Sequence, residues 1–320
     1  MTCKILNSLL FLTLFLNFSC KKNSELENNK EKEIMAEEQL FKSDKTTLSH
    51  LAKAQYYRWY QLYERPMNEF RIVNQMDMFT DNITIKSTAG TMVGKENYPE
   101  RLGVYKGWKN AHHVQNIEVI TGDDGKTQIK ADIKYQNIQP DGKKGSYTID
   151  YLMNLENDLN GILPKLSEVV ITPTGETKDT FEDAYPNNRV NSLMYYWLAN
   201  MEKLDGNVKP FEELLTNDFE LNFSTSSQIK TLADLETWLN GTPKQLTQSS
   251  HHPENLIIKS IGENVFKISV AFDWYGIAKN GQKMKAKTQH EWVVVDNPNE
   301  RFARIKKADV SQIEPITMIK

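Results

Sequence analysis

The sequence predicts an α+β protein built twice from one unit, with helices first and a long antiparallel sheet after. Three observations predict it. Ala111-His112-His113-Val114-Gln115-Asn116 returns as Ser250-His251-His252-Pro253-Glu254-Asn255, 139 positions later (251 − 112). An aromatic-rich helical segment precedes each histidine pair. Strands of strict alternation, closed by glycine turns, follow each pair. Internal repeats of this kind decide the architecture, because each copy must build its own core.

Taken in order, the chain opens with Lys4 and the apolar run Leu9-Leu10-Phe11-Leu12-Thr13-Leu14-Phe15-Leu16, then Asn17-Phe18-Ser19-Cys20. A short apolar run behind a basic start reads as an export signal, too short to span a bilayer. A small residue before Cys20 predicts a lipoprotein signal over 1–19, with Cys20 lipidated and holding the protein to a membrane. The other cysteine, Cys3, falls inside the removed segment. The mature chain then has no thiol for disulfide, metal or nucleophile chemistry. Residues 20–47 are rich in Lys, Glu and Asn and have few apolar anchors, which predicts a solvated tether. A net charge of −3 over 320 residues gives no footing for nucleic-acid binding.

The first copy is expected over 48–175 and the second over 189–320, with a polar linker at 176–188. Each opens on an aromatic amphipathic helix, around Tyr56–Tyr63 and Leu193–Met201. A second helical stretch is expected at Asn68–Met78 and at Val208–Leu215. Strands follow at Phe79–Ile85 and Leu215–Leu221, then short helices at Lys95–Leu102 and Leu232–Leu239. Beyond the histidine pairs Ile129, Ala131, Ile133 and Tyr135 share one face while Lys130, Asp132 and Lys134 share the other. That is the pattern of a half-buried strand. Asp141-Gly142 and Asn280-Gly281 are hairpin-turn dipeptides. The returning strands run through Tyr151 and His290, and a last strand closes each copy, Leu166–Ile171 and Phe302–Lys306.

This order resembles the NTF2-like superfamily, in its SnoaL-like and scytalone-dehydratase-like branch. The resemblance rests on the aromatic first helices, the His-His-x-x-Asn segments and the glycine-turn hairpins. With its lipoprotein signal, the Asn- and Lys-rich chain also resembles lipoproteins of Bacteroidota type. The fold so implied is two tandem cones, each a curved antiparallel sheet wrapped around N-terminal helices, with a pocket at its open end. Fold alone assigns no chemistry.

Candidate site residues follow from strand parity and from the resemblance. Parity turns His290 inward, with Tyr151 as its counterpart in the first copy. For the histidine pairs, parity with Ile117 and Val119 selects His113, and parity with Leu256 and Ile258 selects His252. The resemblance selects His112 and His251, and a bulge at the strand start would reconcile the two. All four stay candidates. Histidine titrates near neutral pH and acts as base or acid. Candidate catalytic groups are therefore His251, His252, His290, His112, His113 and Tyr151. Candidate substrate contacts are Tyr57, Tyr60, Tyr135, Tyr196, Trp274, Asn116 and Asn255. A zinc site from His251, His252 and His290 fits in ligand number but not in geometry, because adjacent strand residues face opposite ways. No cofactor is expected.

The resemblance implies removal of a proton next to a carbonyl with loss of water. An exported lipoprotein suggests glycan breakdown. The combined expectation is a cofactor-independent dehydratase acting on uronic-acid-ended oligosaccharides, such as those from ulvan, at the outer membrane. The competing reading is a non-catalytic lipoprotein whose two cones bind a ligand or sugar.

Overall fold

The computed structural model describes residues 38–65, 72–122, 126–157, 163–224 and 226–319. Met1–Lys42 is one unit, of which residues 38–42 are described, and Ser43–Lys320 is another. The export signal and Cys20 lie outside the described residues.

Within Ser43–Lys320 the same order of elements occurs twice. The first set is α1 (Ser43–Glu64), β1 (Phe79–Ser87), β2 (Gly90–Val93), α2 (Tyr98–Gly103), β3 (Lys109–Thr121), β4 (Thr127–Ile138), β5 (Lys144–Glu156) and β6 (Lys165–Glu176). The second is α3 (Tyr185–Glu202), β7 (Leu215–Asn222), α4 (Leu232–Leu239), β8 (Leu246–Gly262), β9 (Val265–Ala278), β10 (Lys283–Val295) and β11 (Arg304–Ile319). The sheets run β2-β1-β6-β5-β4-β3 and β7-β11-β10-β9-β8. In both, the strand nearest the helix start pairs parallel with the last strand, and the other neighbours are antiparallel. The fold class is the expected one: α+β, with helices first and a mostly antiparallel sheet after, the order occurring twice.

Three expected boundaries move. α1 begins at Ser43, ahead of residue 48, and α3 begins at Tyr185, inside the expected linker. Pro186 in the first turn of α3 suits a helix start, where its missing N–H costs nothing. The expected second helix of the later copy is only a 3-10 turn, Lys209–Glu213. Its counterpart is described from Ile72 on and ends in a 3-10 turn, Met76–Met78.

Tyr56, Trp59 and Tyr60 of α1 are each fully buried, the i, i+3, i+4 pattern of a core-facing stripe. Each such side chain contributes on the order of 1.5–3 kcal/mol by leaving water. α4 is fixed by a capping box between Thr231 and Asp234. The two first helices lie antiparallel: Ser192 Oγ donates to the Ala54 carbonyl at 2.9 Å, while the start of α1 meets the end of α3 at His50 and Glu202. Buried Arg189 of α3 bonds Asp296 at 2.6 Å and reaches Gln61 of α1, tying the copies together.

Candidate active site

Each copy holds a glutamate–histidine dyad that joins the end of its first helix to a strand of its sheet. Glu64 ends α1, and its Oε1 accepts the His112 backbone N–H at 2.8 Å and lies 3.0 Å from His112 Nδ1. Glu202 ends α3, and its Oε1 accepts the His251 backbone N–H at 2.6 Å and lies 3.2 Å from His251 Nδ1. A carboxylate on Nδ1 fixes that nitrogen as the protonated one and leaves Nε2 as the basic nitrogen.

Each dyad is completed from the other copy. Asn188 of α3 donates to Glu64 Oε1 at 2.8 Å and to the His112 carbonyl at 2.9 Å. His50 of α1 sits with Nδ1 3.0 Å from Glu202 Oε2. Burial pushes the Glu202 carboxyl up, but the fields and hydrogen bonds of His50 and His251 outweigh it and hold it down at about 2.

The first pocket, about 340 Å³, is lined by His112, Tyr63, Tyr105, Tyr135, Tyr147, Tyr151 and Arg101, among others. The His112 ring stacks between Tyr60 (4.5 Å) and Tyr135 (4.9 Å), which fixes its plane. Tyr135 donates to Asn110 at 2.7 Å. Burial raises Tyr135 and Tyr151 well above the usual phenol range, so both stay protonated. Arg101 reaches in from α2, donating to Ser87 Oγ at 2.9 Å. Its Nε is buried with no hydrogen-bond partner among the described residues. A half-buried guanidinium with a spare donor, among phenols, suits a carboxylate.

The second pocket, about 380 Å³, holds His251, His290, Trp274, Trp238, Phe223 and Met201. His290 Nε2 lies 3.2 Å from Thr288 Oγ1, and the apolar surroundings push its pKa down to about 3, with His251 adding to the shift. That ring is neutral at neutral pH. Trp274 Nε1 donates to Ser249 Oγ at 3.0 Å.

The structure thus brings His112, Tyr151 and Tyr135 to one pocket and His251, His290 and Trp274 to the other. Parity misassigned the histidine pairs. His113 turns to the outer face, its Nε2 3.1 Å from the Glu182 carbonyl and 3.3 Å from Gln136 Oε1. The His252 ring sits edge-on to Tyr275, and neither lines the second pocket. The cause is a register shift between Val114 and Asn116, and another between Glu254 and Ile257. An extra residue reverses the alternation beyond it.

Five expected substrate contacts lie outside the two pockets. Asn116 is exposed at its bulge and donates to Asp132 at 3.2 Å, while Asn255 takes the left-handed φ of 52° at the other. Asparagine tolerates that conformation well. Tyr57 stacks on Tyr195 between the helices. Tyr196 is buried against Phe302 at 4.5 Å, away from the pocket. Tyr60 donates to Tyr56 at 2.6 Å and supports His112 from behind rather than lining the cavity. Glu64, Glu202 and Arg101 were missed. The first two carried a signal, since both close the aromatic first helices at matching positions.

No protein-family model matches this chain, and no curated protein does. Solved structures similar to it include a putative aromatic ring hydroxylase from Novosphingobium aromaticivorans, 10% identical, covering 42% of this chain and 93% of that one, with a TM-score of 0.38. A putative scytalone dehydratase from the same organism is 12% identical, covering 42% and 87%, with a TM-score of 0.37. A hexachlorocyclohexane dehydrochlorinase, LinA type 2, is 10% identical, covering 42% and 88%, with a TM-score of 0.37. Likeness at that level assigns no activity to this chain.

Proposed function

We propose that the first cone catalyses a cofactor-independent elimination of water from a substrate carrying a carboxylate, of which the uronic-acid end of an oligosaccharide is the reading carried over from the sequence. The observation that carries it is the Glu64–His112 dyad facing a pocket that also holds Arg101. His112 Nε2 takes the proton from the carbon next to the carboxylate. The C–H electron pair becomes the new C=C bond as the C–O bond at the neighbouring carbon breaks. Tyr151 gives its proton to the departing oxygen, which leaves as water, and solvent returns the proton from His112 to the phenolate. Arg101 neutralises charge that builds on the carboxylate in the transition state. Glu64 stabilises the imidazolium that forms, as a buried carboxylate does for a histidine base.

The lipid anchor at Cys20 and an outer-membrane setting belong to the same proposal, resting on the signal-like N-terminus. Incubation with uronic-acid-ended oligosaccharides tests it, read by the ultraviolet absorbance of a conjugated double bond. The expected result is a signal from the wild type that His112→Ala abolishes. Silence from the wild type across such substrates overturns the reaction. A signal that survives His112→Ala and disappears in His251→Ala moves it to the second cone. The binding-lipoprotein reading is favoured by one observation, the apolar lining of that second pocket.

A further inference from the structure

The two pockets correspond wall for wall, because the strand registers correspond. Tyr135 lies opposite His112 and Tyr147, as Trp274 lies opposite His251 and Ala286. Tyr151 lies between Ala131 and Ile171, as His290 lies between Val270 and Val310. Arg101 precedes buried Leu102 in α2, as Trp238 precedes buried Leu239 in α4. Even the contact is matched, for Arg101 donates to Ser87 where Trp238 packs on Phe223 at 4.7 Å.

Across that correspondence every feature suited to an anion is gone. The guanidinium becomes an indole, two phenols become an indole and a methyl group, and Tyr63 becomes Met201. What remains is an apolar chamber of about 380 Å³, within the ~300–1,000 Å³ of small-molecule sites. Two polar atoms of its lining residues, Trp238 Nε1 and His290 Nδ1, are buried with no hydrogen-bond partner among the described residues. Orphaned polar atoms cost free energy until something meets them. The indoles and Phe223 offer flat faces to a ring, and Met201 a polarisable thioether.

We propose that the second cone is a separate binding site for an uncharged aromatic molecule bearing one hydroxyl or carbonyl group. The ring lies against Trp238 and Trp274, and the polar group meets His290 or Trp238 after a small turn of the side chain. Among the described residues no Lys or Arg lines the wall to meet a carboxylate, and the neutral imidazole of His290 holds no charge to desolvate. This site is independent of the elimination proposed for the first cone.

Isothermal titration calorimetry of the full chain with 2-naphthol, and separately with glucuronic acid, tests the assignment. Expected is saturable one-to-one binding of 2-naphthol with a negative heat-capacity change. Trp238→Arg, which installs the first cone's residue at a partly exposed helix position, lowers that affinity roughly tenfold or more. Trp274→Phe serves as a second, milder probe should Trp238→Arg fail to fold by circular dichroism, and is expected to weaken binding measurably. Arg101→Ala leaves the affinity unchanged. No saturable binding by the wild type overturns the proposal. So does an affinity untouched by both tryptophan variants, one abolished by Arg101→Ala, or preference for glucuronic acid over 2-naphthol at this site.

Discussion

Tyr57 of α1 and Tyr195 of α3 stack on one another, ring centroids 5.9 Å apart and planes inclined by only 11°. They are equivalent residues of the two copies, 138 positions apart (195 − 57), as are His50 and Asn188 (188 − 50) and Glu64 and Glu202 (202 − 64). The stack therefore marks a local two-fold axis between the helices. Along that axis each copy lends the other a polar side chain, His50 to Glu202 and Asn188 to Glu64. The two copies are thus paired structurally, each glutamate being hydrogen-bonded by a side chain of the other copy.

Removal of the base has the largest effect on the proposed elimination. His112→Ala lowers kcat by about 10²–10⁴-fold, the usual worth of a positioned general base. Glu64→Gln lowers it less, because the amide oxygen still accepts from His112 while the charge is lost. Steady-state kinetics on an oligosaccharide substrate checks the order. Equal losses from both variants would place the charge of Glu64, not its hydrogen bonds, at the centre of the dyad.

Arg101→Ala distinguishes substrates by charge. A charge-assisted hydrogen bond is worth about 1.5–3 kcal/mol, so kcat/KM for a free uronate is expected to drop roughly tenfold to a hundredfold. The methyl ester of the same substrate, already slower, is expected to change little. A parallel loss on both substrates would show that Arg101 shapes the pocket without meeting the carboxylate.

Asn188→Ala acts on the first cone from the second copy's helix. It leaves buried Glu64 Oε1 and the His112 carbonyl short of a donor, at a cost of about 1–3 kcal/mol in stability. First-cone activity is expected to fall with it, whereas His50→Ala spares that activity and destabilises through Glu202. Urea denaturation alongside kinetics separates the two effects.

Acid sensitivity comes from two groups whose windows are offset and overlap between about 3 and 4.5. The folded Glu202 carboxyl sits at about 2 against an ordinary 4.5. Its contribution is present above about 4.5 and is lost as pH falls through about 2, amounting to about 3 kcal/mol. His290 is held at about 3 against an ordinary 6.5. Between those values the unfolded chain binds a proton that the folded one refuses, so stability falls as pH drops from about 6.5 to about 3. His290→Tyr, the first cone's residue, is expected to flatten the upper window, and Glu202→Gln the lower one. Urea midpoints at stepped pH measure both, and unchanged slopes in either variant would remove that group from the account.

The sequence by itself determined the duplication, the α+β class and most of the strands. Those features are local or repetitive: alternation of period two, Asp-Gly and Asn-Gly turns, and aromatic residues at helical spacing. They survive without knowledge of what packs on them, and alternation alone puts His290 and its counterpart Tyr151 on the apolar face of their strands, the face on which the pockets lie. Only the tertiary structure decided which member of each histidine pair faces inward, because one extra residue at a bulge reverses a whole strand segment. It also decided what the histidines do. Glu64 and His112 are 48 residues apart and Glu202 and His251 are 49, and no periodicity links a helix end to a distant strand. Arg101 and Trp238 read alike as residues of short helices, and only packing brings each into the wall of a pocket.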